Sequence, residues 1–257
     1  MQDGIKNECD FVKYLHGRKV RYLHPLFTMC FNEIYGTINR NSIVYCWRNR
    51  SKQKYDIFIS ISGTVKRASI KMGSKNSVHI EPISEFVHFL IKNGVDGRII
   101  SEYLRYHYTD GTTNGRGLER QSVAEYKQNN QSKIDEINVA INTPSIIKEA
   151  TTRFVLKGRN SKEEIDLLIY GTIYDFLWIT KEDIIEIISR KANTYSTGVH
   201  FANLSCQPMG RCLNRNPLYE KNRFCVQIKW FNLFDEILEH LYIKQAIKSR
   251  RDPYGLL

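Results

Sequence analysis

The sequence predicts a mixed α+β protein, a central mixed sheet built around a hairpin and flanked by helices. Three observations carry that reading. Residues 54–72 hold two runs rich in β-branched and aromatic residues on either side of Ser62-Gly63-Thr64, which is a hairpin pattern. A second such pattern opens the latter half of the chain, with runs at 165–170 and 173–179 around Gly171-Thr172. Between and around these lie stretches with apolar residues at helical spacing.

The first hairpin has a sided chemistry. With Ser62-Gly63 as the two-residue loop, Asp56 stands opposite Ser69; with Gly63-Thr64 as the loop, it faces Lys71. Opposed residues share a face and strand side chains alternate, so both registers put Asp56, Ser69 and Lys71 on one side. Ile57, Ile59, Ile61, Ala68, Ile70 and Met72 then form an apolar face on the other. A three-residue loop would shift the pairing and send Lys71 across the sheet. An acid and a lysine on adjacent strands can bind a divalent cation and steady the charge of a phosphoryl transition state. The alternative is a solvated face with a cross-strand ion pair. Between Arg40 and Lys75 there are nine Lys or Arg residues and one acid, Asp56. A lone carboxylate in so cationic a segment is where a phosphate backbone and a metal could meet.

The remaining elements follow in order. Residues 10–36 are mostly helical in pattern, broken near Gly17 and Pro25, and residues 43–47 read as a strand. Residues 76–81 alternate like a short strand ended by Pro82, with Ser84 placed to cap a helix over 85–92. A helix over 99–108 carries Tyr103, Tyr106 and Tyr108, and the glycine-containing run 109–117 reads as a polar loop. That run lacks the Gly-Lys-Ser/Thr ending of a phosphate-binding loop. A long polar helix is expected over 118–142, and Thr143-Pro144 starts another, with proline at its first position. Thr180 with Asp183 resembles a capping box for a helix to about Arg190. Residues 199–204 and 223–231 read as strands, and 233–248 as a closing amphipathic helix. A division into 1–142 and 143–257, packed as one compact unit, fits this order.

The chain has 257 residues, 42% of them hydrophobic, enough to bury a full core. Its formal net charge is +11, which points to a polyanionic partner, nucleic acid before membrane. No apolar run approaches the length that crosses a bilayer. The first residues show no secretory apolar segment, and six irregularly spaced cysteines suggest reduced thiols in a cytoplasmic protein. His200, Cys206, Cys212 and Cys225 include soft ligands, but their spacings of five, five and twelve lack the knuckle of structural zinc.

The acid, tight turn and x-Lys order of the first hairpin resembles the PD-(D/E)xK nuclease superfamily, to which many restriction endonucleases belong. In that pattern one strand carries an acid and the next carries acid-x-Lys. Asp56 matches the first acid and Lys71 the lysine, with twelve residues between Asp56 and the position two before Lys71. Ser69 holds the second-acid position, and a hydroxyl does not replace a carboxylate as a strong ligand for a hard cation. The resemblance implies a restriction-endonuclease-like core in residues 1–142 and a Mg²⁺ or Mn²⁺ ion. Asp56 would hold it together with Glu81, or with Glu33 from the preceding helix, while Lys71 would orient water or balance charge.

Several residues are candidates for contacting DNA. Lys66, Arg67, Lys75, Asn76 and His79 lie on or beside the hairpin, and Arg116 lies in the polar loop. Gln207, Arg211, Asn214, Arg215 and Arg223 fall in a run of residues able to grip phosphates or read base edges. Tyrosines 103–108 could stack the bases of single strands. The expected function is a metal-dependent endonuclease that cuts double-stranded DNA, of restriction type, and the resemblance implies a homodimer. The competing reading is a non-catalytic nucleic-acid-binding protein that keeps the hairpin for structure.

Overall fold

The computed structural model describes residues 3–51, 53–73, 76–117, 120–192, 196–209 and 217–251. It is mixed α+β, as the sequence predicts, with two sheets. The elements divide into two compact units, each discontinuous in sequence: 1–76 with 156–187 and 232–257, and 77–155 with 188–231. The cut expected near residue 143 falls inside the second of these.

The first unit is built on a five-stranded sheet in the order β1-β2-β3-β5-β6, where β1 is Val44–Arg48, β2 Ile57–Ile61, β3 Thr64–Lys71, β5 Leu167–Gly171 and β6 Phe176–Thr180. The β2–β3 turn is Ser62-Gly63, with φ of 51° and 83° at the two central residues. Positive φ at both positions twists the chain as a two-residue hairpin requires, and glycine takes it without strain. The register pairs Ile57 with Ala68 and Ile61 with Thr64, which places Asp56 opposite Ser69. β3 then pairs in parallel with β5, Ala68 opposite Leu167 and Lys71 opposite Tyr170.

Helices α1 (Asp3–Leu15) and α2 (Pro25–Tyr35) cover the apolar face. Ile57, Ile59 and Ala68 are fully buried there with Phe11, Leu15, Phe27 and Phe31. α1 begins ahead of the residue-10 start that its pattern suggests, and its buried residues Asn7, Phe11 and Leu15 recur every fourth position. The second hairpin turns over 172–175 rather than at Gly171-Thr172. Gly171, at φ 127°, ends β5 where a Cβ would lie 2.3 Å from the Asp175 carbonyl oxygen. The predicted capping box is formed: the Thr180 hydroxyl accepts from the Asp183 N–H and the Asp183 carboxylate accepts from the Thr180 N–H. It starts α7 (Lys181–Arg190), and α8 (Leu233–Arg251) closes the chain.

The second unit has a four-stranded antiparallel sheet in the order β4-β9-β8-β7, from Ser77–Pro82, Cys225–Trp230, Leu204–Pro208 and His200–Phe201. The single strand expected over 199–204 is a tight hairpin, because Ala202 takes a φ of 47° and reverses the chain. The unit's α-helices among the described residues include α3 (Ile83–Lys92), α4 (Gly97–Tyr108), α5 (Val123–Ile141) and α6 (Pro144–Ala150). Ser84 lies inside α3 and caps nothing, since the helix begins directly after Pro82. α5 starts at Val123, where the Ser122 hydroxyl accepts from the Glu125 N–H and so fixes the N-terminus. Phe86, Phe89, Phe154, Phe201 and Tyr103 form its aromatic core. Among the described residues no helix is long and apolar enough to cross a membrane.

Phe11 joins helix to sheet in the first unit, its ring meeting Phe27 at 6.1 Å and Phe176 at 6.0 Å edge-on. Phe11→Ala opens a cavity at a fully buried site and should cost about 3–5 kcal/mol, read as a lower urea midpoint at unchanged slope.

Candidate active site

The hairpin register decides where Asp56 lies. It immediately precedes β2, and its backbone N–H donates to the Ala68 carbonyl at 2.8 Å. Its side chain folds onto the neighbouring strand, where Oδ2 accepts from the Ile70 N–H at 2.6 Å and from Ser69 Oγ at 3.1 Å. Ser69 is 1% exposed. At the second-acid position the chain thus has a buried hydroxyl that orients Asp56 and supplies no charge. A carboxylate there would meet the Asp56 charge with little solvent to screen it.

A second carboxylate, Glu8 of α1, feels the charge of Asp56. Burial raises the Glu8 carboxyl above the ordinary glutamate value, and the Asp56 charge raises it further. The Arg48 guanidinium and the Lys71 ammonium oppose that rise. Arg48 Nε lies 2.9 Å from Glu8 Oε2 and holds the side chain in its rotamer. Lys54 completes the group. Burial, reinforced by the Lys71 cation, pulls its ammonium down to about 7 against the attraction of Asp56. Its backbone N–H donates to Ser161 Oγ at 2.8 Å. Two carboxylates and two lysines thus interact at the end of the hairpin away from its turn. Such a pair suits a hard divalent cation, which relieves the repulsion between the acids and keeps most of its own water. Among the described residues, no group of three or more His, Cys, Asp or Glu side chains is placed to hold a metal ion. A cation at Glu8 and Asp56 would therefore have two carboxylates among the described residues, its other ligands being water.

The two glutamates expected to complete the site are engaged elsewhere. Glu33 Oε2 accepts from Trp178 Nε1 at 2.6 Å, and its Oε1 is bound by Lys244 Nζ, which also bridges to Asp183. That network ties α2 to β6 and α8. Glu81 belongs to the second unit and is 2% exposed, with Oε2 held by Arg153 Nη2 at 2.8 Å and His79 Nε2 at 3.1 Å. A buried carboxylate already neutralised by a guanidinium has strong partners that a cation would have to displace.

The expected DNA contacts separate in the same way. Lys66 and Arg67 pair with Asp166, and Arg67 also with Glu163, along a cleft of about 490 Å³. The Asp166 carboxylate accepts from the Arg67 N–H at 2.8 Å, a structural role at the start of the β3–β5 pairing. Asn76 is half-buried, the His79 ring packs 5.4 Å from Phe154, Gln207 sits opposite Gln227 in the second sheet, and Arg116 is exposed. Lys75, Arg211, Asn214 and Arg215 lie outside the described residues, as does Cys212. Of the remaining zinc candidates, Cys206 is buried and His200 Nδ1 lies 2.6 Å from the Ala202 carbonyl. Tyr103, Tyr106 and Tyr108 are buried in the second unit and offer no stacking surface.

Arg223 is built into the protein rather than aimed at a base. Its guanidinium is 15% exposed and donates to Asp110 Oδ2 at 2.8 Å and the Gly117 carbonyl at 2.9 Å, pinning both ends of the 109–117 loop.

No protein-family model matches the chain, and no curated protein matches it. Among solved structures the chain is similar to restriction endonuclease MspI in complex with its cognate DNA. The identity is 14%, over 80% of this chain and 78% of that chain, with a TM-score of 0.46. At that score the likeness assigns neither residues nor activity.

The Asp110 clamp gives a pH-dependent signature. Burial pushes the Asp110 carboxyl up, but hydrogen bonds from Thr112, Arg223 and Gly117 outweigh it and hold the value below the ordinary one. A lowered folded value means the contribution is complete above the unfolded aspartate pKa, near about 4, and lost as pH falls through the folded value. Asp110→Asn should flatten the acid limb of stability against pH in urea melts. Arg223→Met, which strands the carboxylate, should cost about 3 kcal/mol at neutral pH.

Proposed function

We propose that the first unit is a divalent-metal-dependent nuclease site that hydrolyses phosphodiesters of double-stranded DNA, on the PD-(D/E)xK plan that the hairpin resembles. The observation that carries the reading is the hairpin register, which sets Asp56 opposite Ser69, two residues before Lys71, with Asp56 Oδ2 held by the Ile70 N–H and Ser69 Oγ. Asp56, the one acid among nine Lys or Arg residues between Arg40 and Lys75, is joined by Glu8 of α1, and the two carboxylates repel beside a lysine. Asp56 and Glu8 would hold Mg²⁺ or Mn²⁺. When bound, such an ion lowers the pKa of its water and neutralises developing negative charge.

The roles of the chain's own groups follow from their geometry. Ser69 Oγ and the Ile70 N–H fix one oxygen of Asp56, so the carboxylate is oriented before any ligand arrives. Lys71 offers a cation to the phosphate. Arg48 holds Glu8 in place and offsets its charge until a metal competes for it. The basic segment draws the polyanion with strong salt dependence. The resemblance implies a homodimer, in which the site of each copy would cut one strand.

Ser69 favours a second reading, a DNA-binding protein without catalysis, because a hydroxyl stands where the pattern has an acid. One experiment separates the two. Supercoiled plasmid incubated with the protein should be nicked or linearised with Mg²⁺ or Mn²⁺ and stay intact with EDTA. Asp56→Ala, Lys71→Ala and Glu8→Gln should each lower the rate by about 100-fold or more, with salt-sensitive binding retained. Glu33→Gln and Glu81→Gln should retain cutting if they fold. Cutting that survives both Asp56→Ala and Lys71→Ala rejects this site, and mobility shifts without nicking at either metal favour the second reading.

A further inference from the structure

The sheet of the first unit has a second face, and its β1–β2 part is open. Alternation buries Val44 and Cys46 of β1 and turns Tyr45 and Trp47 outward, 50% and 41% exposed. The register sets Trp47 beside Phe58 and Phe58 beside Arg67, and in the next row Tyr45 beside Ser60 and Ser60 beside Val65. The Trp47 and Phe58 rings are stacked, 5.1 Å between centroids and 19° between planes. Tyr55 meets Phe58 edge-on at 4.9 Å, and the Arg67 guanidinium lies 6.0 Å from the Tyr55 ring. The result is a stacked aromatic pair on β1 and β2, bordered by Arg67 of β3, with Tyr45 exposed in the next row.

The free edge of β1 does not compete as the docking feature. Val44 bonds to Gly17 and Arg18 through its backbone, and His16 Nδ1 lies 2.8 Å from the Cys46 carbonyl. What stays open is the face. Exposed Arg40 and Arg50 belong to the segments that lead into and out of β1, and the carbonyl of exposed Arg18 accepts the Val44 N–H at the strand's edge. Arg67 is already paired with Asp166 and Glu163, so the cations left to meet a phosphate chain beside these rings are Arg18, Arg40 and Arg50, and exposed rings with such cations match π-faced bases joined by phosphates.

We infer that Tyr45, Trp47 and Phe58 form a stacking platform for unpaired nucleobases, so that the protein binds single-stranded or locally opened DNA on this sheet face. Every base has a π-face, so recognition is by stacking and is sequence-tolerant. The platform shares its face with Ser69 and Lys71. It goes beyond the nuclease reading, which concerns the phosphodiester and asks nothing of the bases.

The test uses the full chain carrying Asp56→Ala, without divalent metal, so that the result is independent of cleavage. A labelled thymidine oligomer is titrated by anisotropy, with the matched duplex in parallel. Trp47→Leu should weaken single-strand binding by roughly tenfold or more, the weight of a base–aromatic stack, and change duplex binding much less. Trp47→Tyr should restore most of the loss, which a merely structural role for Trp47 would not require. Circular dichroism checks that each variant folds; if Trp47→Leu does not, Tyr45→Ser, at a more exposed position, takes its place under the same criterion. Unchanged single-strand affinity, or equal loss in the leucine and tyrosine variants, overturns the inference. A shift of sedimentation from dimer to monomer in Trp47→Leu, with binding unaltered, would assign the face to a second copy of the chain.

Discussion

The register of one hairpin governs the first unit. A one-residue slip between β2 and β3 would turn Ile57, Ile59 and Ile61 from the core to water. Each buried isoleucine stabilises the fold by about 1.5–3 kcal/mol, and a domain's whole stability is about 5–15 kcal/mol. The slipped ladder therefore cannot compete. The turn reinforces the choice, since Ser62 and Gly63 both take positive φ and fix a two-residue loop. The same register delivers Ser69 to Asp56, and it aligns Trp47, Phe58 and Arg67 across three strands. Core packing, candidate chemistry and exposed aromatic surface are three readings of one alignment.

What was legible in the sequence is what the chain decides locally. The hairpin, its apolar face, the Thr143-Pro144 helix start and the Thr180/Asp183 box rest on residues a few positions apart, and all are found. The second carboxylate was not legible. Glu33 and Glu8 are both helical acids ahead of the hairpin, and nothing near either tells which one turns toward Asp56. The available signal was the i, i+4, i+8 run of Asn7, Phe11 and Leu15, which draws α1 past Glu8 and onto the sheet. Arg223 was misread for the converse reason. Among neighbouring asparagines it looks like a base reader, yet its role is set by Asp110, 113 residues away. No periodicity reports a contact of that range.

The aromatic residues show how a fold redistributes chemistry. Tyr103, Tyr106 and Tyr108 are spaced along a helix whose apolar side is packed in a core, so their rings are spent on burial. Tyr45 and Trp47 lie on a strand that alternates with Val44 and Cys46, and only one face of that strand is covered. In both cases the aromatic content is similar and the period of the element decides the outcome. A strand at the border of a sheet, with helices on one side only, leaves alternate rings in water.

This arrangement has a consequence for how the two features relate. Phe58 lies two residues along β2 from Asp56, about 7 Å at the rise of an extended strand. Ser69, which fixes Asp56, lies two residues along β3 from Arg67, the neighbour of Phe58 in the ladder. A base resting on the Trp47–Phe58 stack would therefore have its backbone led toward the Asp56 and Lys71 end of the same face. Stacking would then supply position and the carboxylate–lysine group would supply charge, with neither needing the other in order to bind. Because the rings stand on the solvent side and the isoleucines on the core side, each proposed function can be tested by substitution without unpacking the sheet that aligns them.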